Sequence, residues 1–182
     1  TYLINQAMEN GGWPSSPKTD TEARLRDIAV AIQLDAEESL GLQAQEISVV
    51  VLAYSGGNAD TGEGSMSVVT RTRPKATGGL AAADRLALES YAFEAIRRKK
   101  AIVYHDTKAR LFRETFEPVD FKFRTVLCIP ILPAPNSTAP CGVITLGLKH
   151  PYMLVRVGDC WDSRLSPYAA LAAVFWPTDE KA

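Results

Sequence analysis

The run ISVVVLAY at residues 47–54 is the stretch that most constrains how this chain can fold. β-branched and aliphatic residues occupy both alternating faces of the run, whereas a strand with one face in water alternates apolar with polar residues. Both faces therefore have to be covered by other elements. The run predicts a central strand in a layered domain, with helices on each side of a sheet.

The composition is that of one ordinary globular domain. The chain has 182 residues, of which 46% are hydrophobic and 23% are charged. The 20 Lys and Arg residues balance 21 Asp and Glu residues, so the net charge of −1 supplies no general attraction to a nucleic acid. Prolines and polar residues interrupt the charge-free stretches that could cross a membrane. We therefore expect no nucleic-acid partner and no membrane contact by this chain.

The three cysteines are Cys128, Cys141 and Cys160, and they include no CxxC pair. Too few histidines accompany them for a zinc site. A reducing, cytoplasmic setting is the simplest interpretation. Cys128 falls inside an apolar strand pattern, where we expect it to pack as a small hydrophobe.

No motif for catalysis or metal binding occurs. Neither GxSxG nor HExxH is present. The glycine-rich run GGNADTGEG at residues 56–64 lacks the GK[ST] ending of a phosphate loop and joins two predicted strands, which indicates a hairpin loop. Asp60 and Glu63 in that loop do not have the spacing of an EF-hand. We therefore expect no catalytic residues and no metal site, and no sequence feature specifies a cofactor.

The other elements follow from periodicity and from helix-breaking residues. Thr19 and Glu22 fit a capping box at the start of a first helix, and Gly41 is a suitable end. Ser166 and Pro167 fit the cap and first residue of a closing helix. The predicted order is a helix at 19–40, strands at 47–54 and 65–73, a helix ending in four cations at 97–100, a short strand at 101–106, strands at 124–132 and 141–148, and the closing helix.

The cations at the end of the second helix are Arg97, Arg98, Lys99 and Lys100. They suit the negative, C-terminal end of a helix dipole. Both a solvated helix end and a specific anion site fit this cluster.

Three local patterns resemble those of GAF domains. FRTVLCIPI at 123–131 resembles the family's Arg, small hydroxyl residue and apolar strand that ends in Pro and an aliphatic residue. GVITLGLKHPYML at 142–154 resembles its Gly, aliphatic strand, polar turn and Pro, and AIRRKKAIVYHD at 95–106 resembles its helix end and short strand finishing in Asp. The resemblance implies an α+β fold with an antiparallel central sheet of about five or six strands and helices on both faces.

The resemblance also divides the chain. It implies a linker or extension from a larger protein at residues 1–18, a GAF-like domain at 19–177 and a tail at 178–182. Residues 10–17 are rich in Gly, Pro and Ser, which is typical of a connector, and the chain opens with Thr instead of Met. We therefore expect a piece of a larger protein, either cytoplasmic or the cytosolic part of a membrane-attached one.

The resemblance implies a sensory or regulatory module for signal transduction, and not an enzyme. Such a module binds a small molecule or partner and relays the signal through its terminal helices. We expect these helices to share one face of the sheet and to support a homodimer. The family's residues for cyclic nucleotides, bilins and methionine sulfoxide reduction are not matched here. Two alternatives stay open, a ligand-free dimerisation or docking scaffold and a thiol redox enzyme that uses Cys141 or Cys160.

A ligand of a GAF domain lies between one face of the sheet and the variable segment after the short strand, here residues 107–122. The resemblance therefore implies a pocket lined by tyrosine, arginine and histidine side chains. The candidate ligand-binding residues are Tyr54, Arg71, Arg73, Tyr104, His105, Arg113 and Arg124. Such a set suits an anionic or aromatic small molecule, and solvated cations at strand ends are the alternative.

Overall fold

Five antiparallel strands form the sheet onto which the helices pack. The computed structural model describes residues 18–55, 64–72, 91–109, 123–133, 139–155 and 161–176. The strands are β1 (Ile47–Ser55), β2 (Ser65–Arg71), β3 (Ile102–Tyr104), β4 (Thr125–Ile131) and β5 (Gly142–Leu148), in the order β2-β1-β5-β4-β3. The described helices are α1 (Lys18–Leu40), α2, of which the structure describes residues 91–98, and α3 (Trp161–Phe175).

The centre of the sheet is buried on both faces. Every residue of β4 and of β5 is buried, and β5 pairs with β1 on one side and with β4 on the other. Val50 of β1 stands opposite Thr145 of β5, which stands opposite Cys128 of β4. The expected antiparallel sheet with helices on both faces is confirmed, and so is the central position of β1.

One face of the sheet, here called the helix-pair face, is covered by α1 and α3. An apolar stripe of α1 lies on the sheet, and Ile28 and Ile32 in this stripe are fully buried. Its side chains interlock with those of α3 and of β1, β4 and β5 in one core cluster. The prediction that the first and last helices share a face is therefore confirmed. Gly41 ends α1 with a φ of +63°, a conformation that glycine adopts without strain.

The helices α1 and α3 run antiparallel. Arg164 near the start of α3 donates to the carboxylate of Asp35 near the end of α1, with Nε 2.9 Å from Oδ2. At the other end, the guanidinium carbon of Arg24 lies 5.0 Å from the centre of the Phe175 ring. The N-terminal end of α1 and the C-terminal end of α3 therefore lie side by side.

The predicted start of α3 was wrong. The helix begins at Trp161, five residues before Ser166, and Pro167 lies inside it. The Ser166 hydroxyl donates to the carbonyl of Asp162 at 2.6 Å, so it bonds back along the helix instead of capping it. Trp161 is 3% exposed and packs in the helix-pair core. Burial of this first turn offsets the cost of an internal proline, which a local Ser-Pro pattern cannot reveal.

Gly142 at the start of β5 lets the end of α3 approach the sheet. A Cβ built on Gly142 would lie 2.5 Å from the Leu52 carbonyl oxygen and 2.6 Å from the Trp176 ring. Real Cβ atoms do not come so close to other heavy atoms, so only glycine fits here. Trp176, directly after α3, therefore rests on the backbone of β5 at Gly142.

We expect Gly142→Ala to destabilise the domain by about 1–3 kcal/mol, the usual cost of overpacking. The clash with the Leu52 carbonyl involves backbone, which cannot move aside. Gly147→Ala is the matched control, because the three atoms nearest to its Cβ would all belong to the Phe123 side chain, the first at 2.9 Å, and none to backbone. Urea denaturation followed by tryptophan fluorescence measures both variants. An alanine at 142 that costs no more than one at 147 would contradict this close contact.

Candidate functional site

The opposite face of the sheet, here called the tyrosine face, carries the candidate site. Its floor consists of apolar residues from the three central strands, and α2 lies on it. The floor residues are Val50, Leu52, Val126, Cys128 and Val143. Ala92, Ala95 and Ile96 of α2 are buried against this floor.

Tyrosine side chains stand on both sides of α2. Tyr91 of the helix is 2% exposed and packs against Tyr104 of β3, with ring centres 4.8 Å apart. Tyr54 of β1 meets Phe93 of the helix edge to face, with ring centres 6.1 Å apart. Burial raises the pKa of Tyr91 and of Tyr104 well above the ordinary value. These two phenols are therefore neutral at physiological pH and suit stacking and hydrogen bonding, not proton abstraction.

Tyr54 and Tyr104 lie at opposite ends of this face. The pairing register places Tyr104 opposite Val126, which stands opposite Gly147 and in turn Ser48. Tyr54 is six residues further along β1 than Ser48, which is about 20 Å of extended chain. The structure thus brings each tyrosine to α2 but does not bring the two together.

The other sequence-predicted residues lie further apart. Arg71 ends the edge strand β2 opposite Val50, on the far side of the sheet from β3. Arg73 and Arg113 lie outside the described residues, as does most of the segment at 107–122. The part of the candidate site that the structure describes is therefore the floor, α2 and the tyrosines.

Arg124 is engaged within the protein. Its guanidinium donates two bonds to the Asp106 carboxylate, Nε to Oδ1 at 2.7 Å and Nη2 to Oδ2 at 2.8 Å. Asp106 also accepts from the Lys108 backbone N–H at 3.0 Å. The hydrogen bonds from Arg124 are the main cause that holds the pKa of Asp106 below its ordinary value. This bidentate pair, here called the β3–β4 clasp, joins the second residue after β3 to the residue before β4.

His105 faces away from the tyrosine face. Its ring stacks on Tyr152 with ring centres 6.4 Å apart and planes 7° apart. The Tyr152 backbone N–H donates to the His105 carbonyl at 2.7 Å, which fixes the turn after β5 beside β3. Of the predicted ligand-binding residues, Tyr104 and Tyr54 therefore face the candidate site, whereas His105 and Arg124 tie adjoining segments together.

Thr125, buried at the start of β4, also links the residues after β3 to the turn after β5. The side chain is fully buried, and its hydroxyl lies 2.8 Å from the His150 carbonyl oxygen and 3.1 Å from that of His105. The Met153 backbone N–H donates to the same hydroxyl at 3.4 Å. The Arg and small hydroxyl residue of the pattern at 123–131 thus have separate structural tasks, one at the surface and one in the core.

Tyr91 and Phe93 are site residues that the sequence analysis did not single out. Tyr91 lies one helical turn before Ala95, so the apolar stripe of α2 could have included it. Phe93 gave no comparable signal, because its contact with Tyr54 depends on where α2 crosses the sheet. Phe123 packs on the Gly147 backbone beside this core.

The described cysteines are poor nucleophiles. Cys128 is completely buried on the floor of the tyrosine face, and burial raises its pKa. Cys141 is half-buried, its Sγ lies 3.4 Å from the Ile131 carbonyl oxygen, and burial raises its pKa to about 12. Since the thiolate is the reactive form, neither thiol is activated. Cys160 lies outside the described residues.

The described residues contain no cluster of three or more His, Cys, Asp and Glu side chains close enough to hold a metal ion. The described helices include none with the length and apolar character needed to span a bilayer.

Comparison of the coordinates with solved structures finds proteins of the same architecture. The type II free methionine-R-sulfoxide reductase from Thermoplasma acidophilum has 14% sequence identity and a TM-score of 0.52, over 85% of this chain and 94% of that one. GAF3 of Slr1393 from Synechocystis sp. PCC6803, solved in its photoproduct state, has 14% identity and a TM-score of 0.50, over 82% and 91%. The chain has a GAF-like fold.

Sequence comparison adds no closer assignment. No protein-family model matches the chain, and no curated protein matches it. The GAF-like fold is shared by a reductase and by a domain solved in a photoproduct state, so the fold alone does not decide between catalysis and sensing. That decision rests on the residues of this chain.

The β3–β4 clasp predicts a pH-dependent contribution to stability. The folded pKa of Asp106 lies below its unfolded value of about 4, so the contribution is complete above that pH and is lost as the pH falls through the folded value. We expect Asp106→Asn to cost about 1 kcal/mol at pH 7 and clearly less at pH 3. Urea denaturation at both pH values measures the difference, with Asp27→Asn on the exposed side of α1 as control. An equal cost at both pH values would show that the charge of Asp106 is unimportant.

The raised thiol pKa values predict slow labelling. In a Cys160→Ser background, we expect Cys141 and Cys128 of the native protein to react with a maleimide at pH 7.5 at least about tenfold more slowly than a cysteine peptide. Urea-unfolded protein provides the control for full reactivity. Native Cys141 reacting as fast as the peptide would restore it as a candidate nucleophile.

Proposed function

We propose that this chain is a sensory or regulatory module of a larger signalling protein, without catalytic activity of its own. The tyrosine face receives an anionic or aromatic small molecule, and α1 and α3 relay its presence. The contact of Trp176 with Gly142 carries this proposal. It ties the end of α3 to a strand whose next residue, Val143, lies on the floor of the tyrosine face.

The relay follows from the geometry of β5 and of the terminal helices. Successive residues of a strand point to opposite faces, so a ligand that displaces the strand at Val143 also moves Gly142 and the indole that rests on it. The end of α3 lies beside the start of α1, where the ring of Phe175 meets Arg24. Movement of the Trp176 indole therefore displaces the end of α3 and, through the contact of Phe175 with Arg24, the first turns of α1.

The chemical character of the tyrosine face favours binding over catalysis. It combines aromatic rings and neutral phenols with an apolar floor whose thiol, that of Cys128, is buried and inert. Such surfaces stack on aromatic ligands and donate hydrogen bonds to anionic ones. The redox alternative with Cys141 finds no support in its raised pKa. The free thiols of Cys128 and Cys141 favour a cytoplasmic, reducing location.

Native mass spectrometry of freshly purified chain, compared with the same sample denatured, tests the proposal. We expect an extra mass in the native sample that is released on denaturation. The Tyr104→Ala variant should lose the extra mass, because the substitution removes one side of the tyrosine face. The Tyr152→Ala variant should retain it, because Tyr152 lies in the turn after β5, away from that face, and is 51% exposed. A bare native chain, or equal retention by both variants, would contradict binding at the tyrosine face. Thermal unfolding of both variants confirms that they are folded.

A ligand-free dimerisation scaffold is the second candidate function. Val30 and Leu34, one turn apart on α1, are 41% and 58% exposed. Aliphatic side chains at this spacing on a terminal helix suit the interface of a homodimer. A native dimer of bare mass that Leu34→Glu converts to monomer would favour this function over the first.

A further inference from the structure

A cavity of about 570 Å³ lies beside α3, apart from the tyrosine face. Three segments form its walls, namely the turn after α2, the end of β4 with the residues that follow, and one side of α3. The volume falls within the range of about 300–1,000 Å³ that is usual for small-molecule sites. The proposed ligand face does not include these walls.

Most of the cavity wall is hydrocarbon. Ile129 and Leu132 come from the β4 side, and Ala170, Ala173 and Val174 come from α3. The small alanine side chains leave an open channel along the helix, and Val174 is 58% exposed beside it. An apolar chain in this channel would cover carbon that otherwise faces water.

Two lysines line the cavity at the end of α2. Arg97 and Arg98 of the cation cluster both pair with the Glu94 carboxylate, so their charges are partly balanced. Lys99 and Lys100 follow, and both line the cavity. Lys100 is exposed and forms no ion pair with any residue that the structure describes. The cavity therefore combines an apolar channel with positive charge at one end.

Lys99 adopts a backbone conformation that usually belongs to glycine. Its φ is +53°, and its N–H donates to the Ile96 carbonyl at 3.1 Å to end α2. Glycine takes this position at helix ends without strain, whereas a lysine does not. A lysine at a strained position that lines a cavity indicates a task for its side chain beyond ending the helix.

We propose that this cavity binds an aliphatic chain with one anionic head group, of the class of medium-chain carboxylates. The chain lies along the alanines of α3 and the carboxylate lies at Lys99 and Lys100. Ligand at this place contacts α3 directly, so it acts on a terminal helix without passing through the tyrosine face.

Titration of the full chain with decanoate, followed by ¹⁵N–¹H NMR, tests the proposal. We expect saturable shifts at residues 99–101 and along α3. Decan-1-ol, which keeps the chain without the charge, should bind about tenfold more weakly, and acetate should give no shifts there. Decyltrimethylammonium, with the opposite charge, should bind no better than the alcohol. Equal shifts at residues 99–101 and along α3 with all four compounds would overturn the proposal. Decanoate shifts confined to the tyrosine face would overturn it as well.

Variants separate the head group from the channel. Lys99→Gly relieves the strained φ and keeps the fold, so weaker decanoate binding in this variant reports the lost side chain alone. Lys100→Gln should also weaken decanoate, whereas Lys149→Gln, at an exposed lysine after β5, should leave it unchanged. Ala170→Trp should fill the channel and abolish binding of decanoate and decan-1-ol alike.

Decanoate binding that survives Lys99→Gly and Ala170→Trp would overturn the site. Sedimentation of the wild-type chain tests the competing occupant, a second copy. A dimer that Ala170→Trp dissociates, with no decanoate binding, would assign the channel to protein association instead.

Discussion

The burial of β5 between β1 and β4 is the constraint on which the rest of the structure depends. All seven of its residues are buried, so neither face of this strand can be left to water. Each face needs its own apolar cover, and the chain provides α1 and α3 for one and α2 for the other. Among the described residues, the sheet therefore lies between two apolar cores, one on each face.

This separation allows the two faces to take different tasks. The helix-pair face is covered by the apolar stripes of two helices, while the tyrosine face is covered by α2, with aromatic and phenolic groups beside it. Glycine appears where the layers approach most closely, with Trp176 on Gly142 and Phe123 on Gly147. The edge near β3 is held by polar bonds instead, through the β3–β4 clasp and the buried hydroxyl of Thr125. Apolar packing thus stabilises the middle of the sheet, and hydrogen bonds stabilise its edge near β3.

Much of this fold was predictable from the sequence, because strands buried on both faces leave runs such as ISVVVLAY that few other structures tolerate. The start of α3 was not predictable, since the buried Trp161 outweighs a local Ser-Pro signal. The candidate site was predictable only in its residue types. Arg124 carries a charge suited to a ligand, but its engagement by Asp106 depends on strand order, and so does the distance between Tyr54 and Tyr104. Strand register and strand pairing depend on the tertiary structure, so the residues around one position do not predict them.

Amide hydrogen exchange, measured residue by residue by NMR, tests the central claim most directly, namely that β5 is the shared support of both cores. The amides of Gly142–Leu148 should exchange more slowly than those of the edge strands β2 and β3, at rates that approach those of global unfolding. Exchange in β5 as fast as in β3, while α1 stays protected, would show that the helix-pair core is stable without the sheet centre and would contradict the account.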